Sequence, residues 1–294
     1  MYILGGPCVS EDPTTTTTQG EGGGRRRPWE FLGPVRGMDQ RQWAIDGTVM
    51  ELGDKGKGEL YFVYSGWPLE NMDGDDSDLV QQLFILRLRD PVTAEAAEEE
   101  GGKGSVLLCS PDEKWERTGE HGINEGPQYL ASCSSSSECD GDDDDEWKGI
   151  VYSCAGSWTN EYKMNTLQYL GGDPLDPSSW LKGTKPLIRN GDHGKGPWGP
   201  GHGSFLHVGS NDDDGGLGVL GVYHATDGPG DGWNNRKARM QRVVFTSNGP
   251  SMGDEVGKLT RDYEVFLGGA GDDGGDDQKK YALDTLVHKV KDEL

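Results

Sequence analysis

At 294 residues the chain can hold one large domain or two small ones. Hydrophobic residues make up only 32% while glycine numbers 48, which argues against a helical bundle and for many short strands joined by tight turns. A formal net charge of −23, with none of the 28 Lys and Arg gathered into a long basic stripe, argues against a nucleic-acid partner.

In chain order, Met1-Tyr2-Ile3-Leu4 runs at once into Gly-Gly-Pro, without the charged and apolar regions of a secretory signal. Thr14 to Arg27 reads as an insert. Strand-like stretches then recur between turn signals, the clearest at Gly58 to Gly66, Gln82 to Arg89, Gly149 to Ser153, Gly216 to His224 and Ala238 to Thr246. Weaker candidates bring the expected total to about ten short strands, which permits a sandwich, a barrel or part of a propeller. Further inserts lie at Ala94 to Gly104, Ser134 to Glu146, Gly191 to Lys195 and Gly268 to Asp277.

The acidic runs within and beside these inserts read as solvated loops, and none shows the alternating oxygen-ligand register of a calcium site. Near the end, Tyr281, Leu283, Leu286, Val287 and Val290 could line one face of a terminal helix. No stretch approaches the ~18 apolar residues of a membrane span. Five cysteines leave at least one thiol unpaired within the chain, and none forms a Cys-x-x-Cys pair. Cys133 and Cys139 could staple the Ser134 to Ser137 loop in an oxidising compartment, whereas Cys154 reads as free and buried. The last four residues, Lys291-Asp292-Glu293-Leu294, form the ER-retrieval tetrapeptide in its required position. Either a segment that grants entry to the ER precedes this chain, or the match is coincidental on a polar tail.

Four segments carry chemistry. Asn124-Glu125-Gly126-Pro127 offers a carboxyl where Gly admits close approach and Pro fixes the chain at the mouth of a strand. Trp43-Ala44-Ile45-Asp46-Gly47-Thr48-Val49 embeds an acid in an apolar segment, where an ionised carboxylate needs a partner; a strand-end Asp capping a turn is the plainer alternative. Gly199-Pro200-Gly201-His202-Gly203-Ser204-Phe205 sets a His in backbone so rich in Gly that close approach of a ligand or ion is expected. Tyr223-His224-Ala225 follows a strand and Arg236-Lys237-Ala238-Arg239-Met240-Gln241 opens another, supplying cations that could bond sugar hydroxyls or a carboxylate, although either Arg could equally lie on the surface. Two carboxyl groups flanking a bond are the minimum for most glycoside hydrolysis, and like charge from the second raises the pKa of the first.

In this order the four segments resemble glycoside hydrolase family 43, in a branch similar to α-L-arabinofuranosidases. The likeness covers roughly Trp29 to Gly253 and includes Leu60-Tyr61-Phe62-Val63-Tyr64-Ser65-Gly66-Trp67, Tyr152-Ser153-Cys154-Ala155-Gly156-Ser157-Trp158 and Leu175-Asp176-Pro177-Ser178-Ser179-Trp180. The resemblance implies an all-β, five-bladed β-propeller that inverts configuration while hydrolysing arabinose- or xylose-containing plant polysaccharide. β-Xylosidase and endo-arabinanase stand behind arabinofuranosidase as specificities. It implies Glu125 as general acid and Asp46 as the carboxylate that tunes it. His202, Arg236 and Arg239 are implied as substrate-binding residues. Trp43, Trp158, Trp67 and Trp233 could stack on sugar faces, although aromatic residues of a β protein more often belong to its core. No cofactor is required, and calcium beside His202 is admitted. A monomer is expected, with no membrane or nucleic-acid partner, secreted in full-length form or held in the ER if the C-terminal tetrapeptide is read.

The chain departs from the family at its start. The general base should be an Asp before a Pro on the first blade. Asp12-Pro13 is followed by a threonine run and lies too close to Asp46 to fit, so the base is expected to be absent. Alignment puts Met1 to Leu4 late in the second blade, which implies that the first blade and most of the second are missing. A five-bladed propeller needs about 20 strands. The expected organisation is a residual strand and disordered insert over 1–28, propeller blades over 29–253, and an acidic Gly-rich tail over 254–294 ending in a helix. Three functions stay open: a glycosidase known from a truncated sequence, a non-catalytic glycan-binding propeller remnant, and, more weakly, an acidic calcium-binding β protein.

Overall fold

Short runs of aromatic and branched side chains, broken by Gly, Asp and Pro, fold this chain into strands. The computed structural model describes residues 2–5, 30–39, 41–53, 58–68, 80–95, 104–132, 146–190, 196–208 and 218–253. They hold seventeen strands and two 3₁₀ turns, Lys114–Glu116 and Pro177–Ser179, with no α-helix among them. The all-β expectation therefore holds. The helix expected near the C-terminus, the terminal tetrapeptide, the Cys133 and Cys139 pair and Asp12-Pro13 lie outside the described residues.

A first antiparallel pair joins β1 (Tyr2–Gly5) to β2 (Glu30–Pro34). The next sheet contains β3 (Ala44–Leu52), β4 (Glu59–Gly66), β5 (Gln82–Asp90), β6 (Thr93–Ala94) and β7 (Val106–Cys109). In it β3, β4 and β5 form an antiparallel meander, and β6 and β7 both pair with β5. After the small pair β8 (Arg117–Thr118) and β9 (His121–Gly122) comes a second meander of β10 (Asn124–Ala131), β11 (Lys148–Cys154), β12 (Lys163–Tyr169) and β13 (Trp180–Lys182). A third follows with β14 (Trp198–Val208), β15 (Gly218–Thr226), β16 (Lys237–Thr246) and β17 (Gly249–Ser251).

The first strands of the three meanders meet: β10 packs against both β3 and β14. Side chains between the sheets make the core. Val63 and Ile85 of the first meander join Ile150, Tyr152 and Leu167 of the second in one buried cluster. Val151 and Met164 of the second join Val219, Tyr223 and Val243 of the third in another. On the far face of the first meander, Phe62, Tyr64, Phe84 and Leu86 pack under Val35 and Met38. Strands covered on both faces need apolar residues at nearly every position, which is why β4 and β5 read as continuous apolar runs. A row of antiparallel sheets joined through their first strands is a propeller-like arrangement.

The five clearest stretches of the sequence become β4, β5, β11, β15 and β16 with ends shifted by a few residues. The expectation of about ten strands falls short because very short strands, and a strand as glycine-rich as β14, carry little apolar signal. Cys109 and Cys154 are both free and buried, as read for Cys154.

Glu116 fixes the approach to β10. Its side chain is fully buried, and its carboxylate accepts hydrogen bonds from Tyr152 Oη at 2.7 Å, Lys182 Nζ at 2.9 Å and Glu113 N at 3.0 Å. Its carbonyl accepts from Ile123 N and Ala155 N, which flank the adjoining ends of β10 and β11.

Candidate active site

Asp46-Gly47, Glu125-Gly126 and His202-Gly203 each join a chemically active side chain to a glycine, and they lie on β3, β10 and β14, the strands that meet. Each strand loses register at that point, between Ile45 and Thr48, between Glu125 and Gln128, and between Gly201 and Ser204. Asp46, Gly126 and His202 take left-handed backbone, with φ of 54°, 57° and 53°. Non-glycine residues seldom adopt it, and such positions gather at functional sites. A bulge re-aims the side chains around it, and three successive bulges aim these toward one another.

The contacts close the group. Gly126 N donates to Asp46 Oδ2 at 3.2 Å, and His202 Nε2 lies 3.8 Å from Asp46 Oδ1. Tyr162 Oη donates to Glu125 Oε1 at 2.7 Å and sits 3.5 Å from His202 Nδ1. Gln81 Nε2 donates to Glu125 Oε2 at 3.2 Å and to Ser65 Oγ at 2.8 Å, while Ser65 Oγ donates to the carbonyl of Asn124 at 2.8 Å. His202 N donates to Ser153 Oγ at 2.7 Å. The His202 side chain is 44% exposed, so the group opens to solvent.

The Glu125 carboxyl is held above its ordinary pKa, first because burial penalises the anion. The Tyr162 hydrogen bond works the other way, the Asp46 charge raises the pKa again, and His202 and Gln81 oppose it. Among the described residues, Asp46 is the carboxylate whose charge bears on Glu125. A carboxyl whose pKa is raised in this way is suited to the proton-donor role.

No family model matches the chain. A curated extracellular exo-alpha-(1->5)-L-arabinofuranosidase of Streptomyces avermitilis is 27% identical over 197 residues, covering 65% of this chain and 35% of that protein. The chain thus spans about a third of the length of the curated relative it matches. The crystal structure of alpha-L-arabinofuranosidase from Lactobacillus brevis superposes with a TM-score of 0.55 at 23% identity, over 77% of this chain and 60% of that one. That of a thermostable family-43 glycoside hydrolase does so with a TM-score of 0.55 at 20% identity, over 80% and 64%. This chain has the fold of a family 43 glycoside hydrolase.

On the family 43 fold, the residues expected from the sequence divide. Glu125, Asp46 and His202 come together. Arg236 lies exposed nearby, its Nη2 donating to the Ser157 carbonyl at 2.9 Å and its charge felt at His224. Arg239 is committed to an ion pair with Asp227 and stands opposite Tyr223 in the sheet. Trp43 stacks on Trp67 with ring centroids 4.4 Å apart, so each covers a face of the other. Trp158 and Trp233 remain 43% and 66% exposed in an edge-to-face pair, with the Trp233 indole N–H donating to Ser157 Oγ at 3.0 Å.

The glycine run around His202 has a different cause from the one expected. A Cβ on Gly201 would come within 2.1 Å of Tyr162 Cε1, and one on Gly203 within 2.8 Å of Met164 Sδ. The close approach that these glycines allow is therefore by the protein's own side chains. Calcium fares no better as a reason for the run. Calcium takes six to eight oxygen ligands, whereas His202 Nδ1 faces a phenol, its Nε2 faces a single carboxylate, and no group of three or more His, Cys, Asp or Glu is placed for a metal among the described residues. These residues do not fit a calcium cage. Tyr162 and Gln81 escaped the sequence reading, since neither lies in a patterned motif; the stretch before β12, Thr159-Asn160-Glu161-Tyr162, reads as an ordinary turn.

Proposed function

We propose that this chain carries the acid side of a glycoside hydrolase site that cleaves O-glycosyl bonds in arabinose- or xylose-containing plant polysaccharide, with inversion. α-L-Arabinofuranosidase is the leading specificity, in keeping with the names of the curated relative and of the Lactobacillus brevis structure. The observation that carries the reading is the partly buried Glu125, raised in pKa by burial and by Asp46 and hydrogen-bonded at both carboxylate oxygens. Glu125 is the general acid and Asp46 its modulator. The general base lies outside the described residues, and the whole propeller has five blades.

Trp158 stands four residues ahead of Tyr162, so its Cα lies within about 15 Å of that of a residue touching the acid. Its exposed ring and that of Trp233 offer faces to sugar C–H groups, and Arg236 beside them offers unspent donors to hydroxyls. The net charge of −23 disfavours a polyanionic glycan, in keeping with a neutral pentosan as the substrate class. The protein acts as a monomer in a secreted setting.

Calorimetric titration of the 294-residue chain with arabino- and xylo-oligosaccharides tests this. Binding is expected, weakened about tenfold by Trp158→Ala on losing about 1.4 kcal/mol of contact. Absence of binding to either series would overturn the reading. With the chain alone, nitrophenyl arabinofuranoside and xyloside should be hydrolysed little or not at all. Turnover at an ordinary enzymatic rate that Glu125→Gln abolishes would instead show a base within this chain.

A further inference from the structure

Tyr162 is fully buried although its hydroxyl ends at Glu125. Its ring lies against Gly201, in space that any side chain there would fill, and stacks on His224 with centroids 5.6 Å apart and planes within 8°. His224 is itself unusual. Both of its ring nitrogens are buried with no hydrogen-bond partner among the described residues. Buried polar atoms are nearly always paired, so the ring's position calls for a reason. Burial first, then the charges of Arg236 and His202, push its pKa down to about 4. Over the neutral range the imidazole is a flat, uncharged plate behind the phenol.

Taking Glu125 as the acid of the function proposed above, we propose that Tyr162 and His224 are positioning residues that hold Glu125 with Oε1 as its carbonyl oxygen and the transferable proton on Oε2. A protonated carboxyl accepts best at its C=O oxygen, and the shorter bond, 2.7 Å from the phenol, falls on Oε1. The bond to Oε2 from Gln81 is 3.2 Å and leaves the other lone pair of that oxygen for a proton. Burial, with Glu125 adding to it, holds the Tyr162 hydroxyl well above its ordinary pKa, so it stays a donor. A cation in the place of His224 would draw the acid toward ionisation; a neutral ring fixes the phenol without doing so.

The groups facing Glu125 are few. Asp46 approaches from β3 and opposes ionisation. His202 approaches from β14 and favours it, as do the uncharged Tyr162 and Gln81 through their hydrogen bonds. His224 on β15 acts through Tyr162, with Arg236 beyond it.

The test is a pH titration by ¹³C NMR of the 294-residue chain labelled at Glu Cδ and Tyr Cζ, with Glu125→Gln used for assignment. In the unaltered chain the Tyr162 Cζ signal should shift with the Glu125 midpoint, and Glu125→Gln should remove that shift. Tyr162→Phe should raise the Glu125 midpoint by about one pH unit, since a hydrogen bond to the charged form is lost. His224→Ala should raise it part of the way, and His224→Phe, which restores a flat uncharged ring, should bring it back. A Tyr162 signal that ignores the Glu125 titration would overturn the proposal in the unaltered chain, whatever the variants do. So would a midpoint that Tyr162→Phe or His224→Ala leaves in place. The titration needs no substrate, so a chain that hydrolyses nothing still reports on the pair. A midpoint at the ordinary value with coupling intact would count against the acid role alone.

Discussion

At the scale of single residues, the raised Glu125 carboxyl and the lowered His224 imidazole pull stability in opposite directions with pH. Glu125 holds its proton more tightly folded than unfolded, so its contribution to stability is lost as pH rises from the ordinary carboxyl value of 4.5 through its folded value. Glu125→Gln is therefore expected to be more stable than the unaltered chain at pH 7, by urea denaturation. His224 works the other way. The unfolded ring binds a proton near 6.5 and the folded ring near 4, so stability falls as pH drops through that window. His224→Phe should flatten the urea midpoint between pH 7 and pH 5; an unchanged slope would count against a buried neutral ring. Asp46→Asn removes the like charge beside the acid and should lower the Glu125 midpoint, seen by the same carbon NMR. Glu125, Asp46 and His202 were legible because each sits beside a glycine in a run that differs from its surroundings. Tyr162 and Gln81 were not, because their roles arise from strands brought together across the fold and not from any local spacing; His224 was legible as a candidate polar group, but not as a neutral plate behind Tyr162.

At the scale of elements, the site depends on three strand bulges that only particular residues permit. Gly201→Ala would drive a methyl into Tyr162, backbone against a packed ring, and should destabilise by about 1–3 kcal/mol in urea while releasing the Glu125 hydrogen bond. Behind β10, Glu116 and Lys182 form a pair with the carboxylate wholly out of water. Glu116→Gln leaves the partly buried ammonium with the exposed Asp112 carboxylate, 3.8 Å away, as its remaining counter-charge and should cost about 1–3 kcal/mol, measured by the same denaturation. A loss below about 1 kcal/mol, the range of an exposed pair, would contradict the burial of that pair. The apolar strands β4, β5, β11, β15 and β16 were readable from composition and turn signals. Strand β14 was not, since glycines at 199, 201 and 203 look like a loop until Tyr162 and Met164 are seen filling the space beside them.

At the scale of the molecule, three meanders meet through their first strands and two core clusters fill the gaps between the sheets. The all-β class followed from glycine content and short apolar runs. Sequence periodicity alone could not choose among sandwich, barrel and propeller, because each asks the same of a single strand; the order of the four chemical segments made that choice, and the solved structures support it at the level of the fold. The central claim is that Glu125 delivers the proton to the leaving sugar while water activation belongs to residues outside those described. Azide separates these two jobs, since it attacks carbon without first losing a proton. The deciding measurement is the rate at which the 294-residue chain converts α-1,5-arabinobiose, whose poor leaving group needs an acid, to arabinofuranosyl azide. The account predicts product of inverted configuration from the unaltered chain, and about 10²- to 10⁴-fold less from Glu125→Gln. Equal product from both chains, or none from either, would contradict it.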